Sequence, residues 1–215
     1  MFIARKYSAL LILLVLASVG ISITIKAAIG LAPFDAFNQT FGYVLNVRVG
    51  DIVTFAQIIF IIIQLLILRK KATYHILLQI PLAAIVGQLI NFWLYRVYSS
   101  FEIENYFVRL ILLLVGISWV AFFLAGVMVL DLVTMPLESI AMVIAKEINR
   151  PFGKVRQWLD IFFIIVSLGL TLMYSLPYTI REGTVIAAVL FGPLLTLFMP
   201  KIEEKFKSWK LIATK

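Results

Sequence analysis

Apolar residues in this chain come in long uninterrupted runs rather than at a helical or alternating spacing. Tyr7 to Ile25 runs nineteen residues without a charge. Further runs are Ile52–Leu68, Ile76–Tyr95, Leu110–Leu130, Ile161–Ile180 and Thr184–Pro200. Each has about the 17–25 residues that a helix needs to cross the hydrocarbon of a bilayer. A secretory signal is the competing reading of the first run, with Arg5 and Lys6 before it and Ala27-Ala28 as a cleavage site. Its apolar core is long for a signal, and five more runs follow, so a span is expected.

Two stretches between the runs read differently. Pro33–Val49 carries Asp35, Asn38, Gln39, Asn46 and Arg48, and Pro136–Asn149 carries Glu138, Lys146 and Glu147. In the second, Leu137, Ile140, Ile144 and Ile148 share one helical face. A proline at the start with an acid just after it is helix-start chemistry. Short helices over 33–46 and 136–149 are expected, lying in the interface or re-entering the membrane. Pro33 and Pro136 start them, and Thr134 is a candidate cap for the second.

The two halves repeat. Pro33, Asn46 and Gly50 meet Pro136, Asn149 and Gly153 at one offset of 103 residues, and Asp35 meets Glu138. Thr54, Gln57 and Gln64 share a face in one span; Gln157, Asp160 and Ser167 stand at the same offset in the other. The expected fold is an all-α polytopic membrane protein of six transmembrane helices. Residues 1–98 form a first repeat, 105–200 a second, and 201–215 a basic tail expected as a surface helix on anionic lipid. Three spans per copy invert the second, giving a 3+3 inverted-topology repeat. If the short helices crossed, eight spans and parallel repeats would result.

Composition agrees with a membrane protein. Of 215 residues 63% are apolar and 14% charged, too little polar surface for a soluble domain. The net charge of +8 does not indicate nucleic acid, because the cations flank apolar runs. Arg5, Lys6, Arg69, Lys70, Lys71, Lys146, Arg150, Lys154, Arg156 and the tail lysines fall on one face; Lys26, Arg48, Arg96, Arg109 and Arg181 fall on the other. That excess puts both termini in the cytoplasm of a plasma membrane. The chain has no cysteine and one histidine, His75, which argues against a zinc or haem site. No cofactor is expected. His75 is expected at the headgroups beside Lys70 and Lys71.

Gly30-Leu31-Ala32-Pro33-Phe34-Asp35, followed by Val49-Gly50 opening a span, resembles the YczE/YyaS/YitT group of bacterial integral membrane proteins. Gly153, Val155-Arg156 and Asp160 resemble its Gly…Val-Arg…Asp pattern, and Thr184 through Gly192-Pro193-Leu194 its closing span. The family more often has Gly-Pro where Ala32-Pro33 and Met135-Pro136 stand here. The resemblance implies a bacterial inner-membrane location and no settled activity.

Candidate chemistry lies in a few polar residues. Asp160 and Arg156, four apart, share a helix face. They are either an intramembrane carboxylate on a substrate or proton path, or an interfacial ion pair. Asp35 and Glu138 are either part of a site at the starts of two half-helices or plain helix-start charges. Gln57 is a candidate cavity-lining residue, and Asp131 marks an inner end or joins the site. Gln88 and Asn91 are expected to hold helices together, and the small residues Ala83, Ala84, Gly87, Ala187, Ala188 and Gly192 to let helices approach closely. No P-loop, nucleophile elbow, zinc-binding HExxH or dinucleotide fingerprint occurs, so no enzyme is expected, and any transport is secondary or driven by another subunit. The expected function is a small secondary permease for an unidentified small polar solute; proton coupling is one form it can take, and the coupling ion stays open. An accessory protein that binds a partner membrane protein and a lipid translocase are the alternatives. Lipid is an expected partner, and a homo-oligomer is one form the assembly can take.

Overall fold

The computed structural model describes residues 2–69 and 76–212. His75, with Lys70 and Lys71, lies outside the described residues. Among the described residues the chain is all-helical: α1 (Phe2–Ala27), α2 (Pro33–Leu45), α3 (Val49–Leu68), α4 (Gln79–Phe92), α5 (Tyr106–Leu130), α6 (Pro136–Glu147), α7 (Phe152–Tyr174) and α8 (Glu182–Ser208). A π-helical turn, Trp93–Val97, extends α4. Among the described residues six helices are long and apolar enough to cross a membrane. At 1.5 Å per residue, α2 and α6 reach only about 18–20 Å, short of the roughly 30 Å of hydrocarbon.

Element boundaries recur at the offset read from the sequence. Ala27 and Leu130 end α1 and α5; Pro33 and Pro136 start α2 and α6; Val49 and Phe152 start α3 and α7; Gln79 and Glu182 start α4 and α8. Each pair is 103 residues apart. Left-handed backbone recurs too, at Ala28 and Asp131 and again at Asn46 and Asn149.

α1 and α5 run antiparallel. Trp119 Nε1 donates to the Leu16 carbonyl at 2.8 Å, Gly116 faces Thr24, and Gly126 faces Leu13. α8 lies along α5: Leu113 and Ala187 share one apolar cluster, and the Phe122 and Phe198 rings are 5.4 Å apart. Leu10, Leu130 and Phe206 pack in another cluster, which puts the first turns of α1 and the last turns of α8 at one end of the bundle. α4 packs on α3 through Gly50 and Gly87. A Cβ on Gly50 would stand 2.0 Å from the Gly87 carbonyl oxygen, and one on Gly87 2.3 Å from that of Gly50. Only glycine allows so close an approach.

Several expectations shift. α7 starts at Phe152, nine residues before Ile161, and ends at Tyr174. Lys154, Arg156, Gln157 and Asp160 interrupt the apolar run without interrupting the backbone ladder, which does not depend on side-chain polarity. The tail is no separate surface helix: α8 continues through Pro193 and Pro200 to Ser208. Ile202 and Phe206 are buried in the core cluster with Leu10 and Leu14. Thr134 does not cap α6, whose N-cap is Met135 with no side-chain hydrogen bond. Gly87 makes its close approach, but nothing lies within 4 Å of a Cβ on Gly192, and Ala188 is exposed.

The halves differ in how their helices pack. α4 packs chiefly on α3, whereas its counterpart α8 packs on α5 rather than α7. α7 and α8 are the least buried of the six long helices, at 17% and 11% against 33–39% for the rest.

Candidate functional site

The starts of both short helices pack against α7. Pro33 and Pro136 occupy the first turn of each, and neither helix has a side-chain cap. Fixed proline φ suits the first turn, while the next N–H groups stay free of intrahelical partners. Phe163 of α7, 1% exposed, sits between the two starts. Its ring is 5.4 Å from Phe34 and 5.1 Å from Phe37, and it packs in one cluster with Leu137 and Ile140 of α6. Phe60 of α3 closes the group, 5.8 Å from Phe34.

Amides tie α3 to α6. Gln64 Nε2 donates to the Pro136 carbonyl at 3.2 Å, and Ser139 Oγ donates to Gln64 Oε1 at 2.6 Å. Gln79 of α4 accepts from the same amide at 3.3 Å. Gln64 is fully buried, so this network satisfies polar atoms that water cannot reach. Gln57, two turns earlier on the same face, is also buried, and its Oε1 has no hydrogen-bond partner among the described residues.

Four ionisable groups converge around this junction. Arg156 and Asp160 form an ion pair along α7. Asp35 is pushed up to about 7, first by desolvation; Arg156 opposes this, and Asp160 and Glu138 add to it. Glu138 is also raised by desolvation, with Arg156 and its own helix N–H groups pulling it back and Asp160 adding to the rise. Asp35, Glu138, Arg156 and Asp160 are thus within one another's electrostatic reach, from three helices. The Arg156 guanidinium pairs with Asp160 and acts on Asp35 and Glu138 through space. Asp131 does not join them: it is exposed in left-handed conformation at the end of α5.

Gln88 and Asn91 hold α4 to α3, as their three-residue spacing suggests. Both donate to Asp51 Oδ1, at 2.9 and 2.8 Å, and Asn91 Oδ1 accepts from the Gly50 N–H at 2.9 Å. Sequence reasoning missed Asp51; the signal was two amides one helical turn apart, which need an acceptor on the facing helix. It also gave no role to Arg109 or Gln39, which line a cavity at the bundle end where α1 finishes and α8 starts.

A protein of Bacillus subtilis (strain 168), described as "Uncharacterized protein YyaS", is 27% identical over 191 residues, covering 89% of this chain and 90% of that one. No solved structure matches. Residues 4–200 match the family described as "Family of unknown function (DUF6198)", and the chain belongs to that YyaS-like family.

Proposed function

We propose that this chain is a small secondary permease built as a 3+3 inverted-topology repeat, with α2 and α6 as half-helices entering from opposite faces. The observation that carries the reading is the convergence of Asp35, Glu138, Arg156 and Asp160 where the two half-helices start. Ionisable groups inside a membrane bundle are costly and mark solute or proton paths. Half-helix starts at mid-depth are a recurrent way to bind a solute between inverted repeats. The common 103-residue offset of the element boundaries supports the repeat.

Charge balance suggests the coupling ion. Arg156 can neutralise one carboxylate, so the other two need protons or a cation. A group near 7 loads and releases a proton at physiological pH. Proton uptake at Asp35 and Glu138 is the proposed coupling step. Bacterial inner membrane is the proposed location, with both termini cytoplasmic.

The orientation test uses a chain that has no cysteine of its own. Asn46→Cys and Asn149→Cys, equivalent exposed positions at the ends of α2 and α6, are probed in right-side-out and in inside-out vesicles with a membrane-impermeant thiol reagent. The inverted arrangement labels position 46 from outside and 149 from inside. Labelling of both from one face makes the repeats parallel and removes the proposed site. For transport, proteoliposomes carrying a pH-sensitive dye are challenged with a panel of small solutes; solute-driven proton entry that disappears in Asp160→Asn and Glu138→Gln is expected.

A further inference from the structure

At the end of the bundle where α1 finishes and α8 starts, two cavities of about 570 and 420 Å³ adjoin. They share Ile25, Ala28, Gln39, Tyr43 and Arg109 in their walls. The larger also holds Lys26, Glu102 and Glu104, so its charges balance. The smaller reaches inward to Gly30 and Leu31, the break that leads into α2, and its cations are Arg109 and Arg181. Among the described residues no acid lines this smaller lobe.

The break is held open by its backbone. Gly30 has φ +116°, and a Cβ there would stand 2.7 Å from the Thr184 N. The Gly183 N–H donates to the Ile29 carbonyl at 2.8 Å, and the Leu31 N–H to that of Thr179 at 3.2 Å. These bonds fix the floor of the lobe. Arg109 is fixed from behind: its Nε donates to the Ile103 carbonyl at 2.5 Å, and its two terminal nitrogens, without a hydrogen-bond partner among the described residues, form a fork. Arg181 is partly spent, donating to the Ala28 carbonyl at 3.1 Å and pairing with Glu182 at 3.1 Å. Gln39 brings a side-chain oxygen that is buried and without a partner among the described residues.

We infer that the lobe between Arg109 and Arg181 binds a small organic or inorganic anion, a carboxylate or a phosphate, gripped by the free fork of Arg109. A fixed guanidinium with both terminal nitrogens open matches such groups in two parallel hydrogen bonds. Tyr43 and Tyr178 border the same space, and their hydroxyls are further donors; the Thr179 hydroxyl is spent on Thr40. Gln39 Oε1 is an acceptor, so the ligand carries a donor as well, as a hydroxy acid or a protonated phosphate does. The site names the cargo only if the permease reading above holds; cotransport of the anion with protons on Asp35 and Glu138 would then limit the charge moved. Anion binding itself does not need that reading.

Binding and flux are therefore measured separately on the full-length protein. In detergent, lactate, succinate and inorganic phosphate are titrated while thermal unfolding is followed. At least one should raise the melting temperature saturably, and Arg109→Gln should weaken it at least tenfold. Arg48→Gln is the control: Arg48 lies over the Tyr95 ring outside the lobe and should leave binding unchanged. If Arg109→Gln fails to fold, Arg181→Gln and Gln39→Leu carry the test, each expected to weaken binding severalfold. Phosphatidylglycerol, with a short-chain soluble analogue, is compared with phosphatidylcholine by native mass spectrometry. Retention of the anionic lipid that soluble phosphate displaces supports the site and shows that it takes headgroup and free anion alike; retention that no soluble anion displaces supports it with a lipid as the ligand. No stabilisation and no lipid retention, or binding equal in wild type and Arg109→Gln, overturns the site. Binding without flux in proteoliposomes keeps the site and overturns the permease.

Discussion

Gly50 and Gly153 occupy the same place in the two halves, and the structure assigns them opposite fates. A methyl group added at Gly50 falls 2.0 Å from the Gly87 carbonyl oxygen and 2.6 Å from Asn91 Oδ1. Ordinary contact begins near 3.4 Å, so α3 and α4 must separate by more than an ångström, because a backbone carbonyl cannot rotate aside. Overpacking of this kind costs about 1–3 kcal/mol. Separation also breaks the bond from the Gly50 N–H to Asn91 and loosens both amides on Asp51, at about 0.5–1.5 kcal/mol for each bond lost. Helix propensity returns about 1 kcal/mol for Gly→Ala. The net expectation for Gly50→Ala is a loss of about 2–3 kcal/mol. At Gly153 nothing lies within 4 Å of the added carbon, and the same substitution should be neutral or gain up to about 1 kcal/mol. Reversible unfolding by sodium dodecyl sulfate in mixed micelles, followed by circular dichroism, measures both. Equal destabilisation at the two positions would refute the account, since it would mean that the start of α7 is packed as tightly as the start of α3. No effect at either would mean that α3 and α4 do not approach this closely.

Ala28 has φ 54°, a conformation that suits glycine better, so Ala28→Gly should stabilise the chain by about 1 kcal/mol in the same unfolding assay; Gly30→Ala, blocked by the Thr184 backbone, should destabilise it. Asp35 binds its proton more tightly folded than unfolded, so the folded state holds more protons between about pH 4 and 7. Stability should therefore fall as pH rises through that window and level off above 7, and Asp35→Asn should flatten the slope in melts taken from pH 4.5 to 8. Asp51→Leu leaves two amides without their acceptor and should cost about 1–3 kcal/mol, whereas Asp131→Asn, at an exposed helix end, should change stability by less than about 0.5 kcal/mol.

Much of this architecture is legible in the sequence because lipid imposes a simple rule. Every spanning segment must be apolar and long, and the runs that satisfy the rule are the six long helices. Pro33 and Pro136 mark the starts of the short helices to the residue, since a proline followed two places on by an acid suits the first turn. What failed was where polarity and helix part company. Lys154, Arg156 and Asp160 hide the first turns of α7, and Pro200 looks like an end although α8 passes through it. Pairing was harder still. Asp35, Glu138, Arg156 and Asp160 could be named one by one, but only the packing of α2, α6 and α7 around Phe163 brings them together. The preference of α8 for α5 rather than α7 has no signature in the periodicity, because apolar surfaces meet lipid or protein equally well.

The ion pair on α7 has an electrical consequence. Arg156 and Asp160 ride on the same helix, one turn apart, and α7 is among the least buried of the long helices. If α7 slides along the membrane normal, a positive and a negative charge travel the same distance. The work done by the membrane voltage on one charge, about 2.3 kcal/mol per 100 mV for a full crossing, cancels against the other. The pair therefore adds nothing to the voltage dependence of such a movement, which falls to Lys154 at the start of the same helix. Removing Asp160 raises the charge that travels with α7 by one and removing Arg156 lowers it by one, so the two variants should shift any gating current in opposite directions.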